Sequence, residues 1–271
     1  MLALLSPAKT LNLSPWQHDL DCTEPAMMQD AQALMRTTRG LTQKKIRELM
    51  HVSPTLAKLN QQRFNSFQLP FSAANAHPAA LIFAGPVYQA LDARGLSIDD
   101  LEWAQSRIAI LSGLFGMLRP LDWIQPYRLE MGTALKTRRG SNLYQFWGER
   151  IAACIEQVMA GHSDQTIVNL ASAEYFRSVR HQRLTQPVVE CVFEDWKTRP
   201  DEGRVMGFLA KRARGLMARY IITERIDRVE GLKEFKAERY CFQASRSGHA
   251  RWVFSRRFVA AGAARRAPVP A

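Results

Sequence analysis

The sequence has few of the residues that build metal-bound or covalent sites, and those it has are scattered. Its four cysteines are far apart, and its six histidines show neither HExxH nor HxxxH spacing. Zinc sites usually draw on closely spaced cysteine and histidine ligands. We therefore expect reduced, mostly buried thiols, and we predict neither a metal site nor another cofactor.

Long hydrophobic runs and flexible linkers are missing too. No stretch approaches the roughly 18 apolar residues of a membrane-spanning helix, and the opening MLALLSPAKT is too short and uncharged for a signal peptide. No repeat or Gly/Ser-rich linker divides the chain, which predicts a single domain over residues 1–258. A basic, disordered tail is expected over 259–271. The expected location is the cytoplasm, without membrane contact.

Positive charge is what the sequence has in excess, and it is unevenly placed. The formal net charge is +12, with 12 Lys/Arg against 11 Asp/Glu in residues 1–135 and 25 against 14 in residues 136–271. A local basic surface attracts polyanions, because neutralised phosphates release their condensed counterions. An evenly solvated basic surface is the alternative.

The pattern of apolar residues predicts a fold of the α+β class. Short apolar runs at Leu2–Leu5, Ile108–Leu111 and Thr166–Leu170 indicate buried strands. Segments with helical periodicity lie between them, so we predict a mixed sheet with interleaved helices. Three further elements are expected: strands at 79–84 and 205–209, the latter in a hairpin with 188–196, and one amphipathic helix over 143–159.

One predicted helix, over residues 209–226, is unusually basic. It has a single carboxylate, Glu224, and five cations: Lys211, Arg212, Arg214, Arg219 and Arg225. Few acidic residues stand one helical turn away to neutralise them. Such a helix is typical of a solvated face or of a surface that contacts phosphates.

A helical hairpin near the N-terminus adds three cations. Lys44, Lys45 and Arg47 precede a turn at residues 50–54 between two short predicted helices. Helix-hairpin-helix modules present backbone amides to a phosphate at such a turn. The turn here lacks the usual glycine, so the match to that module is loose.

Three polar segments follow predicted strands or stand between prolines. SPAKT at 6–10 offers Lys9 but lacks the glycines of a phosphate-binding P-loop. LRPLDWIQPYRLEMG at 118–132 and NLASAEYF at 169–176 supply the other candidates: Arg119, Asp122, Arg128, Glu130 and Glu174. These side chains either form an active site or fix their loops through ion pairs.

Several of these segments, in this order, resemble the YaaA peroxide-stress family. The resemblance rests on SPAKTL at 6–11, LSGLFGMLRPLDWIQPYRLEMG at 111–132, NLYQFWG at 142–148, NLASAEYFRSV at 169–179 and AKRARGLMARYII at 210–222. Together they extend over about residues 1 to 256. The family commonly has Gly-Asp-Val-Tyr where this chain has Gly85-Pro86-Val87-Tyr88.

The resemblance implies a cytoplasmic protein of a family-specific mixed fold with a positively charged cleft and a helix-hairpin-helix-like element. It implies DNA binding, and a role in limiting free iron and oxidative damage under peroxide stress. Matching motifs place around the cleft Lys9, Arg119, Arg128, Lys211, Arg212 and Arg214. Lys44, Lys45 and Arg47 belong to the hairpin.

Two hypotheses follow from the sequence. The first is a non-enzymatic protein that binds duplex or distorted DNA mainly through phosphates, with Arg219 joining the cations above and no protein partner. The second is an enzyme that acts on a nucleotide or another phosphorylated substrate. Its residues would be Lys9, Asp122, Arg128, Glu130 and Glu174, with the carboxylates in acid–base roles.

Overall fold

A sheet with a parallel interior organises the protein. The computed structural model describes residues 1–16 and 20–258. Within these residues the strands are β1 (Leu2–Leu5), β2 (His77–Pro78), β3 (Ile108–Ser112), β4 (Gly116–Leu118), β5 (Trp123–Ile124), β6 (Ile167–Asn169), β7 (Val188–Trp196), β8 (Cys241–Phe242) and β9 (Arg251–Arg257). The α-helices are α1 (Met28–Arg39), α2 (Gln43–Met50), α3 (Pro54–Ser66), α4 (Ala79–Ile82), α5 (Pro86–Leu91), α6 (Ile98–Ala104), α7 (Leu143–Trp147), α8 (Arg150–Met159), α9 (Ala173–Phe176) and α10 (Gly207–Thr223).

Seven of the described strands form the main sheet, in the order β4-β3-β1-β6-β7-β9-β8. β1 pairs in parallel with β3 on one side and with β6 on the other. β4 and β8 are antiparallel strands at the two edges. The expected mixed sheet with interleaved helices is confirmed. From β1 the chain moves toward one edge of the sheet, and from β6 it moves toward the other.

Three predicted elements were wrong. Residues 79–82 form the short helix α4 and not a strand. The prediction failed because a short apolar run that is buried on all sides has no periodicity that distinguishes a strand from a helix. Residues 205–209 do not pair with β7 as a hairpin, since α10 begins at Gly207 and a single bridge joins Asp195 to Arg204. The helix over 143–159 is interrupted at Gly148, whose φ of +54° ends α7 before α8 starts.

The described cysteines agree in part with the expectation of buried thiols. Cys154 and Cys191 are buried, and burial raises the pKa of both thiols. Cys22 is partly exposed and Cys241 is exposed. The disordered tail expected over 259–271 lies outside the described residues.

His162 lies at the end of the sheet where β1 begins, and it makes stability depend on pH. Burial, the charge of Arg107 and the N-terminal ammonium lower the pKa of His162 from 6.5 to about 4. In the unfolded chain the imidazole of residue 162 is protonated near pH 6.5, whereas in the folded chain it is protonated only near pH 4. The part of the folding stability that depends on a neutral His162 is fully present above about pH 6.5. It is lost as the pH falls from there toward 4.

We expect this titration to lower the free energy of unfolding by about 3 kcal/mol between pH 7 and pH 4. Urea unfolding of the wild type and of His162→Gln across that range measures the loss. The variant, which has no imidazole to protonate, should lose less over the same interval. Equal losses in both proteins would show that His162 does not titrate as described.

Candidate functional site

A cavity of about 560 Å³ opens at the carboxyl ends of β1 and β6. Two sides of the cavity are lined by the segments that follow these strands, residues 6–10 after β1 and 170–175 after β6. The rest of the lining includes residues 127–130 and the first turn of α5. Parallel sheets characteristically bind ligands at this place, where the connections from neighbouring strands leave in opposite directions. The topology of the sheet therefore identifies the cavity as the candidate site.

Hydrogen bonds between the two strand exits hold the floor of the cavity. The backbone N–H of Ser172 donates to Ser6 Oγ at 2.9 Å, and Ser6 Oγ donates to Ser172 Oγ at 3.2 Å. The Tyr88 hydroxyl donates to the Ser6 carbonyl at 2.9 Å. Burial raises the pKa of Tyr88, so this hydroxyl stays protonated and remains a donor. The floor is thus a pre-formed arrangement of neutral polar groups.

An ion cluster lies on one wall. Lys9 Nζ is 2.6 Å from Glu130 Oε2, and Arg128 Nη2 is 3.0 Å from Glu130 Oε1. Burial disfavours the Glu130 carboxylate, but the hydrogen bonds from Lys9 and Arg128 outweigh it and hold the pKa of Glu130 below its ordinary value. Two cations share one carboxylate, so the cluster keeps a net positive charge.

The opposite wall is the first half of α10, which contributes Lys211 and Arg214 one turn apart. Lys211 is exposed, and Arg214 is partly buried with its Nε sealed from solvent and lacking a hydrogen-bond partner. Neither side chain forms an ion pair or hydrogen bond with any residue that the structure describes. Burial lowers the pKa of the Arg214 guanidinium, with Glu190 and Cys191 opposing the shift. This wall therefore offers two cations that are not held in an ion pair with a described residue.

A close helix crossing fixes that wall against α5. A Cβ placed on Gly215 would lie only 1.9 Å from the Val87 carbonyl oxygen and 2.9 Å from Ala90 Cβ. Val87 and Pro86, at the start of α5, line the cavity. Gly215 thus lets α10 approach α5 closely enough to place Lys211 and Arg214 across from them.

The structure brings together six of the predicted residues, which all line the cavity: Lys9, Arg128, Glu130, Glu174, Lys211 and Arg214. Glu174 Oε1 accepts a hydrogen bond from the Gly132 backbone N–H at 2.9 Å. Among these lining residues, four cations face two carboxylates. The cavity is therefore positively charged.

Two other predicted cations of α10 point elsewhere and are neutralised. Arg212 Nη2 is 2.6 Å from Glu238 Oε1. Arg219 Nη1 donates to the carbonyl oxygens of Leu91 and Asp92 at 2.8 and 2.9 Å. The helix is not uniformly available to a polyanion, because only its cavity-facing side has unpaired cations.

Arg119 and Asp122 form a separate structural pair. Asp122 is buried, and its Oδ1 accepts from Thr23 Oγ1 at 2.6 Å and from Arg119 Nε at 3.1 Å. Burial raises the pKa of Asp122 against the effect of these bonds. Neither Arg119 nor Asp122 lines the cavity, so this pair fixes its loop and is separate from the cavity acids.

The N-terminal cations lie on α2, away from the cavity lining. Lys44, Lys45 and Arg47 are exposed, and Lys45 Nζ is 3.5 Å from Glu48 Oε2. α2 and α3 do pack as two helices joined by a short turn, where His51 adopts a left-handed φ of 51° and Ser53 caps α3. A phosphate-binding helix-hairpin-helix stays a prediction.

Sequence reasoning missed Arg63 on α3. Burial lowers the pKa of Arg63, and the charge of Arg128 lowers it further, which places Arg63 close to the cation cluster. It forms no ion pair with a described residue. A single arginine in a polar helix gives no sequence signal, because its closeness to Arg128 arises only when α3 packs near the loop at 127–130.

Two features are absent from the described residues. No group of three or more His, Cys, Asp or Glu side chains there is arranged to hold a metal ion. Within the same residues, no helix combines the length and the apolar character needed to cross a membrane.

The chain is similar to a known protein family over most of its length. The family model for peroxide stress protein YaaA matches residues 1–246. A UPF0246 protein of Polaromonas naphthalenivorans (strain CJ2) is 49% identical over 256 residues, which cover 94% of this chain and 98% of that protein. One from Caulobacter vibrioides (strain NA1000 / CB15N) is also 49% identical, over 94% of this chain and 99% of its own. A Bordetella petrii relative is 47% identical over 257 residues, 95% of this chain and all of the other.

Proposed function

Since the chain belongs to the peroxide stress protein YaaA family, we propose that it acts in the response to hydrogen peroxide by binding the phosphate backbone of DNA. The observation that carries this proposal is the pair of unpaired cations, Lys211 and Arg214, opposite the positively charged cluster around Lys9 and Arg128. Phosphate oxygens are the natural counter-charges for such groups.

The distribution of charge supports contact with a chain of phosphates more than with one anion. Lys9 and Lys211 stand at the exposed mouth of the cavity, with 62% of the Lys9 side chain accessible. Arg63 on α3 is near enough to Arg128 for the two charges to interact, which adds to the positive potential here. A backbone lying across this mouth would meet several cations in succession. The sequence has no recognition-helix or zinc-finger pattern that would read base edges, so little sequence preference is expected.

The salt dependence of binding tests this proposal. If about four phosphates are neutralised, affinity for duplex DNA should fall roughly 100-fold between 50 and 200 mM salt. Fluorescence anisotropy with labelled duplex, bubble and single-stranded DNA, at several salt concentrations, measures the slope. A flat slope, or no binding at 50 mM salt, would contradict the phosphate account.

Two finer elements of the proposal concern the cell. A protein that protects chromosomal DNA would work in the cytoplasm. A link to unincorporated iron follows from the family resemblance, and it is checked by measuring that iron in cells with and without the gene during peroxide exposure. An unchanged iron level would remove this element and leave the DNA proposal standing.

A further inference from the structure

We infer that the cavity also binds one small phosphorylated molecule of the nucleoside 5′-monophosphate class, through Lys211 and Arg214, the same two cations that carry the proposed DNA binding. A duplex is too wide to enter a cavity of about 560 Å³, so the lining beyond Lys211 and Arg214 is accessible only to a small ligand. That volume falls within the roughly 300–1,000 Å³ of small-molecule sites. The position at the carboxyl ends of β1 and β6 is also the usual one for such ligands.

The phosphate end of the site is assigned to Arg214 and Lys211. A guanidinium that is largely withdrawn from water without a partner is costly, and a bound anion offsets that cost. Arg214 meets this description, because its Nε is buried and it has no ion pair among the described residues. Lys211, one turn earlier, supplies a second positive charge for a dianion.

The rest of the lining suits a flat body that carries hydroxyl groups. Pro7, Pro86, Tyr127 and Leu129 give the cavity apolar and aromatic surface. Glu174 lines the same space, and its Oε2 forms no hydrogen bond with a described residue, while Oε1 is occupied by Gly132. A free carboxylate oxygen accepts hydrogen bonds from sugar hydroxyls, as acidic residues do in dinucleotide sites.

Glu130 narrows the choice of ligand further. Lys9 and Arg128 hold the Glu130 carboxylate ionised, so their charges are already partly compensated. The lining cations without an ion pair, Lys211 and Arg214, are both on the α10 wall. The free hydrogen-bond acceptor of the lining is the Glu174 carboxylate, so the cavity has a cationic part and an acceptor part. A ligand with an anion at one end and donors at the other matches this polarity.

Isothermal titration of the full chain with AMP, GMP, CMP and UMP, each taken separately, tests the assignment. At least one nucleotide should bind about 10-fold or more tightly than its nucleoside and than inorganic phosphate, because both ends of the site are then used. Nucleotides that bind no better than inorganic phosphate, or that do not bind, would overturn the assignment.

Variants locate the phosphate end. Arg214→Gln is expected to weaken nucleotide binding about 10- to 100-fold, the effect of losing a hydrogen bond to a charged group. Lys211→Gln, at an exposed position without a hydrogen bond to a described residue, should keep the fold and weaken nucleotide binding several-fold. Arg212→Gln on the same helix, whose partner is Glu238, is the matched control and should leave binding unchanged. Undiminished binding in both Arg214→Gln and Lys211→Gln would overturn the assignment.

The two proposals fail separately. If duplex DNA binds with a steep salt slope while no nucleotide binds, the nucleotide site is overturned and DNA binding stands. If a nucleotide binds while DNA does not, the reverse holds.

Discussion

Replacing Lys211 and Arg214 together by alanine is expected to weaken duplex DNA binding about 100-fold at 50 mM salt. The reason is that both side chains lack an ion pair among the described residues, so each is free to release a counterion from a phosphate. The slope of log affinity against log salt should become shallower by roughly 2, since each lost phosphate contact removes about 0.9. Anisotropy titrations with labelled duplex at four salt concentrations measure both quantities.

Arg212→Ala/Arg219→Ala is the matched control, because it removes the same charge from the same helix. Arg212 is paired with Glu238, and Arg219 donates to carbonyl oxygens at the end of α5. Its DNA affinity should stay within a few-fold of the wild type at equal salt. Equal losses in the two double variants would mean that net charge, and not the cavity wall, governs binding, which would remove the basis of the proposed interface.

Gly215→Ala is expected to lower the free energy of unfolding by about 3 kcal/mol. The added methyl group would overlap the backbone carbonyl of Val87, which has no side-chain freedom to move aside. α10 and α5 must then separate, so the wall that carries Arg214 should move from the wall that carries Pro86. Urea unfolding followed by circular dichroism measures the change in stability.

Gly207→Ala gives the reference for that measurement. Gly207 is the first residue of the same helix, and a Cβ placed there meets no described atom within 4 Å. Alanine should be neutral or stabilise by up to about 1 kcal/mol, since it restricts the unfolded chain. If Gly215→Ala were as well tolerated as Gly207→Ala, the close crossing of α5 and α10 would not be needed for stability.

Helices whose ends carry a strong local signal are the elements that a sequence can predict. Ser97 caps α6 with a reciprocal capping box, and Thr42 and Ser53 cap α2 and α3, where their hydroxyls accept from backbone N–H groups. Fully buried apolar runs lack such a signal. Residues 79–82 illustrate this, because their four buried side chains fit a helix and a strand equally well.

For the cavity, residue type and strand exits were predictable, but pairing was not. Lys9, Arg128 and Glu174 follow from polar segments placed after strands or between prolines. Whether a given arginine of α10 is free or neutralised depends on Glu238 and on the end of α5, which approach the helix only in the folded chain. Arg119 and Asp122 were candidates because they lie in the same polar segment as Arg128. In the folded chain Asp122 is buried and bonded to the Thr23 hydroxyl and to Arg119, so the two form a structural pair.

The placement of β9 has a consequence for how the protein is synthesised. β9 lies inside the sheet between β7 and β8, and it pairs with β7 along its whole length, from Arg251 to Arg257. While the ribosome is still translating the segment before β9, the long strand β7 has an open edge, and such edges pair readily with other chains. The cavity strands β1 and β6 emerge much earlier. During synthesis the sheet therefore stays incomplete, with the edge of β7 exposed to aggregation. This exposure ends only when residue 257 has been added and has left the exit tunnel.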